Sequence, residues 1–317
     1  MKDSINREID YIRVSVTDRC NYRCYYCMPS EGVEYIEHEE ILSYEEILRI
    51  LEIFSSLGIK KVKLTGGEPL VRKELSRLVA MIKGIEGIEE VTLTTNGYYL
   101  EENIEALLKG GISDINISID SLNPDKYRRI CRVAGLDKVL GGIEKSLKLG
   151  AKIKINTTLN GMSTEEDILD LVKFGLEKKL KIRFIEMMPI GMGRIHSLSG
   201  DEVLAMLKKH YPNLRKSKMR GNGPAVYYQL EDTYLGLISA VHHKFCDSCN
   251  RIRLSADGFI RPCLACEEGV DIKSLLRGGE ENTVLEKALY DAVFYKPLSH
   301  RFEEKIGNRN IMSRIGG

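Results

Sequence analysis

The chain has 317 residues, a length that allows either one barrel-sized domain with an appended unit or two ordinary domains. Its 47 basic and 46 acidic residues almost cancel, which argues against a nucleic-acid partner or an anionic membrane surface. The N-terminal stretch MKDSINREID has no apolar signal-peptide core, and no stretch approaches the roughly 20 apolar residues of a membrane span, so we expect a cytoplasmic protein.

Strand-like and helical patterns alternate along most of the chain. The β-rich runs are YIRVSVT (11–17), KKVKLT (60–65), EVTLTT (90–95), DINISID (114–120), KIKINTTL (152–159) and KIRFIEMM (181–188). Capping-box patterns at Ser43 and Thr164 open helices, and Gly58, Gly110 and Gly150 end helices before the next strand. Six βα units predict a parallel sheet curved into a partial or full barrel, with a doubly wound sheet as the alternative. We favour a partial, TIM-like (βα)6 barrel.

The alternation stops after about residue 215. The runs GNGPAVYYQL and YLGLISAV are typical of short antiparallel strands, and a group of cysteines follows them. We therefore predict a barrel domain over residues 1–215 and a smaller α+β domain over residues 216–317.

Polar or glycine-rich residues recur where the predicted strands end. They are Thr17, TGGEP (65–69), TTNG (94–97), SIDS (118–121), Asn156 and Glu186. In both architectures the carboxyl ends of parallel strands meet on one side of the sheet, which is where such folds bind ligands. The recurrence predicts a functional site there.

Eight cysteines in a reducing compartment are expected to be metal ligands or catalytic groups rather than disulfides. Three of them, Cys20, Cys24 and Cys27, stand in TDRCNYRCYYCMPS. Structural metal sites normally close with four ligands, whereas a [4Fe-4S] cluster held by three thiolates leaves one iron open. The CxxxCxxC spacing, with a glycine-rich loop after the next strand, resembles the radical S-adenosylmethionine (SAM) superfamily. A zinc site completed by a distant His or Cys, or a redox dithiol, is the alternative.

The superfamily resemblance implies that the open iron binds the amino and carboxylate groups of SAM, and that electron transfer cleaves SAM to a 5′-deoxyadenosyl radical. It also implies four contacts to this cofactor. Gly67 in TGGEP would hold the methionine end through the backbone, Tyr26 would touch the adenine, Ser118 would bind the ribose or carboxylate, and Met188 would contact the adenine.

The second cysteine group contains Cys246, Cys249, Cys263 and Cys266, and its C-x2-C-x13-C-x2-C spacing also fits a zinc ribbon. FCDSCNRIRLSADGFIRPCL, SVTDRCNYRCYYCMP, GPA (223–225) and the terminal IGG together resemble the GTP 3′,8-cyclase family of molybdenum cofactor biosynthesis over nearly the whole chain. In that family three cysteines hold a second [4Fe-4S] cluster whose open iron binds guanine. The resemblance therefore implies that Cys246, Cys249 and Cys263 are ligands and that Cys266 is spare. Cys131 has no partner in sequence and is expected to be inert.

The family resemblance implies that GTP lies between the clusters and loses its 3′ hydrogen, and that the C3′ radical attacks C8 of guanine. Reduction of the cyclised radical then gives 3′,8-cyclo-7,8-dihydroguanosine triphosphate. Cations near the strand ends are expected to hold the triphosphate, namely Arg13, Lys61, Lys63, Lys154 and Arg183. Arg251 and Arg253 share one face of a strand and are expected to approach the guanine or its phosphate, and Thr94 completes the substrate set. We assign catalytic roles to Arg13, Arg251 and Arg253.

Lys63 departs from the family, which usually has arginine at this position. Lysine keeps the positive charge but lacks the bidentate fork of a guanidinium group, so GTP is expected to bind there more weakly or in a different orientation.

The family resemblance also concerns the terminus and the partners. The double-glycine tail is expected to thread toward the active site, where glycine permits close backbone approach. The expected partners are GTP, an electron donor such as flavodoxin or ferredoxin, the downstream cyclic pyranopterin monophosphate synthase, and possibly a second copy of the chain. Two other classes stay open at this point: a radical SAM enzyme with an auxiliary cluster that acts on a peptide, and a non-catalytic zinc protein.

Overall fold

The computed structural model describes residues 1–193, 197–267, 269–300, 302 and 312–315. In this part of the chain, strands β1 to β12 form one sheet in the order β12-β11-β10-β1-β2-β3-β4-β5-β6-β9-β8-β7. The strands are β1 (Tyr11–Ser15), β2 (Lys61–Thr65), β3 (Glu90–Thr95), β4 (Asp114–Ser118), β5 (Ile153–Leu159), β6 (Lys181–Glu186), β7 (Arg215–Lys216), β8 (Val226–Leu230), β9 (Thr233–Ile238), β10 (Arg251–Leu254), β11 (Phe259–Arg261) and β12 (Val270–Asp271).

Helices follow each of the strands β1 to β6, as predicted, with two helices after β4, and the last three helices described come after β12. They are α1 (Tyr44–Ser56), α2 (Leu75–Lys83), α3 (Leu100–Lys109), α4 (Pro124–Cys131), α5 (Leu136–Lys148), α6 (Glu165–Lys178), α7 (Gly200–His210), α8 (Ile272–Arg277), α9 (Asn282–Phe294) and α10 (Met312–Ile315). None of the helices described is long and apolar enough to cross a membrane.

Local sequence signals explain where these helices begin. At the start of α1 the Glu46 backbone N–H donates to Ser43 Oγ over 3.1 Å, and the Ser43 N–H donates to Glu46 Oε2 over 2.7 Å. Thr164 and Asp167 form the same reciprocal pair at α6. The two predicted capping boxes are therefore confirmed, and each satisfies amide groups that a helix start leaves without partners.

Neighbouring strands from β1 to β6 are parallel, and their side chains alternate between two faces. One face is apolar and packs under the helices: Ile12 and Val14 of β1 are fully buried in one cluster with Ile47 and Phe54 of α1. The opposite face of the same strands is polar and charged, which is unusual for a barrel interior filled only by its own side chains. The polar face therefore points to a ligand cavity.

The C-terminal strands extend the barrel sheet on both sides. β9 pairs parallel with β6, and β10 pairs parallel with β1, while β8 and β11 add antiparallel edges. Short antiparallel strands were predicted in this region. The parallel pairing of β9 and β10 with the barrel strands is visible only in the structure. The division into two domains after residue 215 stays a prediction, because the sheet continues across it.

Candidate active site

The first three cysteines lie together in the loop that follows β1. This loop is tightly folded, since the N–H groups of Cys27 and Met28 both donate to the carbonyl of Cys24, over 2.8 and 3.1 Å. All three thiols are half-buried, and Cys24 also shares a hydrogen bond with Cys131. Cys131, expected to be inert, thus lies beside a predicted ligand.

The electrostatics of these thiols suit a bound cation rather than free thiolates. Burial, followed by the charge of Glu68, raises the pKa of Cys20 far above its usual value. Burial and the neighbouring Cys24 raise the pKa of Cys27 to about 12. Deprotonation therefore needs a positive charge close to the sulfur atoms, which iron would supply when bound.

Among the described residues, no three or more His, Cys, Asp or Glu side chains are already arranged to hold a metal ion. The fit of an iron–sulfur cluster therefore depends on the chemistry of the donors. Three thiols in one short loop, close enough to raise one another's pKa, are the soft ligands that iron–sulfur clusters require. The donor set fits a cluster held by Cys20, Cys24 and Cys27.

The TGGEP loop packs directly on the cysteine loop. The Gly67 N–H donates to the carbonyl of Thr17 over 2.7 Å, and the Glu68 N–H donates to that of Arg19 over 2.8 Å. A Cβ atom on Gly67 would lie 2.3 Å from the Arg19 carbonyl oxygen and 2.6 Å from that of Asp18. Only glycine allows the two loops to approach this closely, and the contact of Gly67 with SAM stays a prediction.

Tyr26 is held by a carboxylate that we did not single out from the sequence. Its hydroxyl donates to Asp120 Oδ2 over 2.6 Å, while Asp120 Oδ1 accepts from the Thr158 N–H over 2.8 Å. Burial raises the pKa of Asp120 to about 6. Asp120 follows β4 within the SIDS motif, so its position at a strand end was the available signal. Asp120 fixes the orientation of Tyr26 at the mouth of the barrel.

Two other predicted SAM contacts lie at strand ends of the same side. Ser118 is the last residue of β4 and pairs in register with Asn156 of β5. Met188 lies two residues beyond the end of β6, in the loop where the Ile190 N–H donates to the Met188 carbonyl. Both positions agree with a ligand at the carboxyl ends of the strands.

Four cations face one another on the polar side of the sheet. Arg13 lies in register with Lys63 on one side and with Arg253 on the other. Burial, then Arg183 and Arg13, hold the pKa of Lys63 well below its usual value, and burial and Arg13 lower that of Arg253. Arg183 Nη2 donates to Asn116 Oδ1 over 2.5 Å. Like charges buried together favour a bound polyanion that would relieve their repulsion.

Lys61 and Lys154 are each paired with an aspartate. Lys61 Nζ lies 2.9 Å from Asp10 Oδ2, and Lys154 Nζ is paired with Asp114. Thr94 Oγ1, from β3, accepts from Asn116 Nδ2 over 3.4 Å. Thr94 therefore lies beside Asn116, the residue that also accepts from Arg183. Any role of the two lysines in binding phosphate would need these ion pairs to open or to be shared.

The second cysteine group lies around β10 and β11. Cys249 immediately follows a turn in which its N–H donates to the Cys246 carbonyl over 3.1 Å, and Cys263 follows β11. Although burial opposes it, the charges of Arg251 and Lys296 lower the pKa of Cys249. A hydrogen bond with Cys266 lowers the pKa of Cys263 to about 5. The lowered pKa values of Cys249 and Cys263 favour the thiolate form, which is the form that binds iron.

The C-terminal helix α10 reaches both halves of the site. The Ser313 N–H donates to the Cys27 thiol, and Arg253 Nη1 donates to the Ile315 carbonyl over 3.3 Å. Arg314 Nη2 donates to the Glu34 carbonyl over 2.6 Å. The terminal Gly316 and Gly317, predicted to thread toward the active site, lie outside the described residues.

Comparisons with known proteins agree with this geometry. A model of the Radical SAM superfamily matches residues 14–175, and a model named Molybdenum Cofactor Synthesis C matches residues 180–302. A curated GTP 3′,8-cyclase of Clostridium perfringens (strain 13 / Type A) is 41% identical over 323 residues, covering 100% of both chains. Another, of Hydrogenovibrio crunogenus, is 41% identical over 330 residues and covers 99% of both chains. The chain belongs to the GTP 3′,8-cyclase family.

A solved structure confirms the predicted fold of this family member. Streptococcus suis SuiB bound to S-adenosylmethionine superposes with a TM-score of 0.66 at 17% identity, covering 92% of this chain and 67% of SuiB. The shared architecture is the partial barrel of the radical SAM superfamily. The curated relatives favour the cyclase family over the peptide-modifying alternative.

Proposed function

We propose that this radical SAM enzyme converts GTP to (8S)-3′,8-cyclo-7,8-dihydroguanosine 5′-triphosphate, the first step of molybdenum cofactor biosynthesis. Its cofactors are SAM and [4Fe-4S] clusters, as in its family. The observation that supports the substrate best is the group of cations on the polar face of the barrel, in which Lys63 is buried and Arg13, Arg183 and Arg253 are half-buried. A triphosphate matches both their charge and their enclosure.

In this proposal Cys20, Cys24 and Cys27 hold one cluster and the TGGEP loop holds SAM. When bound, this cluster supplies the electron that cleaves SAM, and SAM supplies the radical that removes the 3′ hydrogen of GTP. Gly67 lets the backbone of its loop approach the cysteine loop, and Tyr26 is fixed by its hydrogen bond to Asp120. Ser118 and Met188 would complete the contacts. These residues position the cofactor and exclude water.

At the other side, Cys246, Cys249 and Cys263 would hold the second cluster, and Arg251 and Arg253 would orient the nucleotide. Arg13 links the two sides, because it lies in register with both Lys63 and Arg253. Thr94 and Asn116 are hydrogen-bonded to each other, and Asn116 also accepts from Arg183. The negative charge of the triphosphate would offset the mutual repulsion of the arginines, and its oxygens would accept charge-assisted hydrogen bonds from them.

The partners follow from the chemistry proposed. A low-potential electron donor such as flavodoxin or ferredoxin would reduce the first cluster, and a cyclic pyranopterin monophosphate synthase would consume the product. We place the enzyme in the cytoplasm, where reducing conditions keep its thiols available for iron. A homodimer is compatible with the fold and belongs to the proposal.

The test uses GTP deuterated at C3′, because the expected product is an isomer of GTP and has the same mass. Anaerobic incubation of the reconstituted enzyme with this GTP, SAM and dithionite should give 5′-deoxyadenosine that carries one deuterium, together with a nucleotide of new chromatographic retention. Deuterium-free 5′-deoxyadenosine, with GTP recovered unchanged, would contradict the proposed reaction. GTP deuterated at C8 is the matched control and should transfer no deuterium to 5′-deoxyadenosine.

A further inference from the structure

Lys296 is a buried ammonium group that the sequence did not single out. It follows the end of α9 and is only 4% exposed. Its Nζ donates to the carbonyl of Arg251 over 2.8 Å and to that of Pro262. Within the described part of the chain, it forms no ion pair with a carboxylate. A buried charge is costly unless an opposite charge balances it.

The position of Lys296 identifies the balancing charge. Arg251 lies two residues after Cys249, and Pro262 lies one residue before Cys263, so the ammonium bridges the chain segments that carry these two cysteines. The anionic partner of Lys296 is therefore the cysteine group itself.

A second buried cation fixes Lys296 in this position. Arg7 Nη2 donates to the carbonyls of Lys296 and Pro297 over 3.2 and 2.8 Å, and Arg7 Nη1 donates to the Cys246 carbonyl over 2.9 Å. Arg7 is itself paired with Asp3 at 2.5 Å. The segment that carries Lys296 and the segment that carries Cys246 are thus tied through one guanidinium group, which holds the ammonium at a constant place relative to the cysteines.

We propose that Lys296 is the fixed counter-charge of the second cluster and raises its reduction potential. The proposal rests on the proposed assignment of Cys246, Cys249 and Cys263 as ligands. Three thiolates make the assembled cluster anionic, and reduction by one electron adds a further negative charge. A buried cation beside it stabilises the reduced form more than the oxidised form. Lys296 acts through the cluster and is a positioning residue, distinct from arginines expected to touch the nucleotide.

The test isolates the second cluster in the full-length chain with Cys20, Cys24 and Cys27 replaced by Ala. In this background, Lys296→Met removes the charge and the donors, Lys296→Gln removes the charge but keeps an N–H donor, and Lys296→Arg keeps the charge. Lys287→Met, on the exposed side of α9, is the control for loss of one surface charge. Titanium(III) citrate supplies the electron, and the midpoint potential is read by electron paramagnetic resonance, with iron and sulfide measured in each protein.

We expect Lys296→Gln and Lys296→Met to shift the equilibrium at least tenfold toward the oxidised cluster, a fall of at least about 59 mV in potential for a one-electron couple. Lys296→Arg and Lys287→Met should stay close to the parent. If Lys296→Gln keeps its cluster at the parent potential, the lysine serves only as a hydrogen-bond donor and the inference is wrong. If the parent background itself binds no iron and sulfide, the ligand assignment fails instead.

Discussion

Replacing Gly67 by alanine tests the contact that joins the SAM loop to the cysteine loop. The added Cβ would lie 2.3 Å from the Arg19 carbonyl oxygen and 2.6 Å from that of Asp18, whereas ordinary contacts begin at 3.4 Å. Both obstacles are backbone atoms, so no side chain can rotate away. The loops must separate by about 1 Å, and a displacement of this size at a reacting centre costs about 10²-fold in rate.

The expected result separates catalysis from folding. Overpacking of this kind costs about 1–3 kcal/mol of the free energy of unfolding, so Gly67→Ala should still fold and should lower Tm by only a few degrees. We expect the rate of 5′-deoxyadenosine formation, measured anaerobically by chromatography, to fall about 10²-fold, because the cofactor loop is displaced from the cluster loop. The iron content of the C-terminal cysteine group should not change.

A second glycine provides the control for this substitution. Gly141 lies inside α5, where a Cβ would meet only the mobile carboxylate of Glu101 at 3.1 Å. Gly141→Ala should therefore leave SAM cleavage unchanged and add about 0.5–1 kcal/mol of stability through helix propensity. A Gly67→Ala enzyme with wild-type SAM affinity and cleavage would refute the reasoning that close approach of the two loops builds the cofactor site.

Four further variants test the assigned residues. Cys24→Ser should abolish 5′-deoxyadenosine formation with or without GTP while the C-terminal cluster still assembles, as measured by iron content; continued cleavage would remove Cys24 from the site. Replacing Arg251 and Arg253 together by Ala should eliminate the cyclised nucleotide but permit slow, uncoupled SAM cleavage, and loss of both with clusters intact would indicate a structural role. Cys266→Ser should keep near-wild-type iron and cyclisation whereas Cys263→Ser should lose the second cluster; equal loss in both would favour a four-cysteine site.

The sequence predicted the parts of the site that depend on local pattern. Arg13 and Lys63 were predicted as phosphate-binding cations of neighbouring βα units, and parallel pairing brings them into register. Motif spacing identified the cysteine groups and the TGGEP loop. Each of these features is encoded within a few consecutive residues, which is why pattern and spacing were sufficient.

The residues that were missed depend on contacts between distant segments. Lys296 lies 33 residues after Cys263, and Arg7, which fixes it, lies 289 residues before it in the chain. No periodicity connects such positions. The position of Asp120 after a strand is visible in the sequence. Its role, however, depends on a hydrogen bond with Tyr26, which lies 94 residues earlier in the chain. Tertiary packing alone decides which buried charge faces which ligand.

Lysine at position 63 has a consequence that arginine could not have. Burial, then the charges of Arg183 and Arg13, depress the pKa of Lys63, with Lys154 acting in the same direction and Asp114 opposing them. A bound triphosphate places negative charge beside this group, so it raises the pKa and draws a proton onto the amine. The same shift makes folding stability depend on pH. The free energy of unfolding rises with pH between the depressed pKa of Lys63 in the folded protein and its pKa in the unfolded chain, because the unfolded chain binds more protons there.

We therefore expect GTP binding to take up protons at pH values between the depressed pKa of Lys63 in the free enzyme and its higher pKa in the complex. Titration calorimetry would show this as a binding enthalpy that varies with the ionisation enthalpy of the buffer. Lys63→Arg should bind GTP without this dependence, because a guanidinium group stays protonated in both states, and should bind it more tightly through bidentate contacts. Lys208→Arg, at an exposed lysine of α7, controls for the substitution itself. Equal proton uptake by the wild type and Lys63→Arg would show that another group titrates, and that Lys63 does not meet the triphosphate.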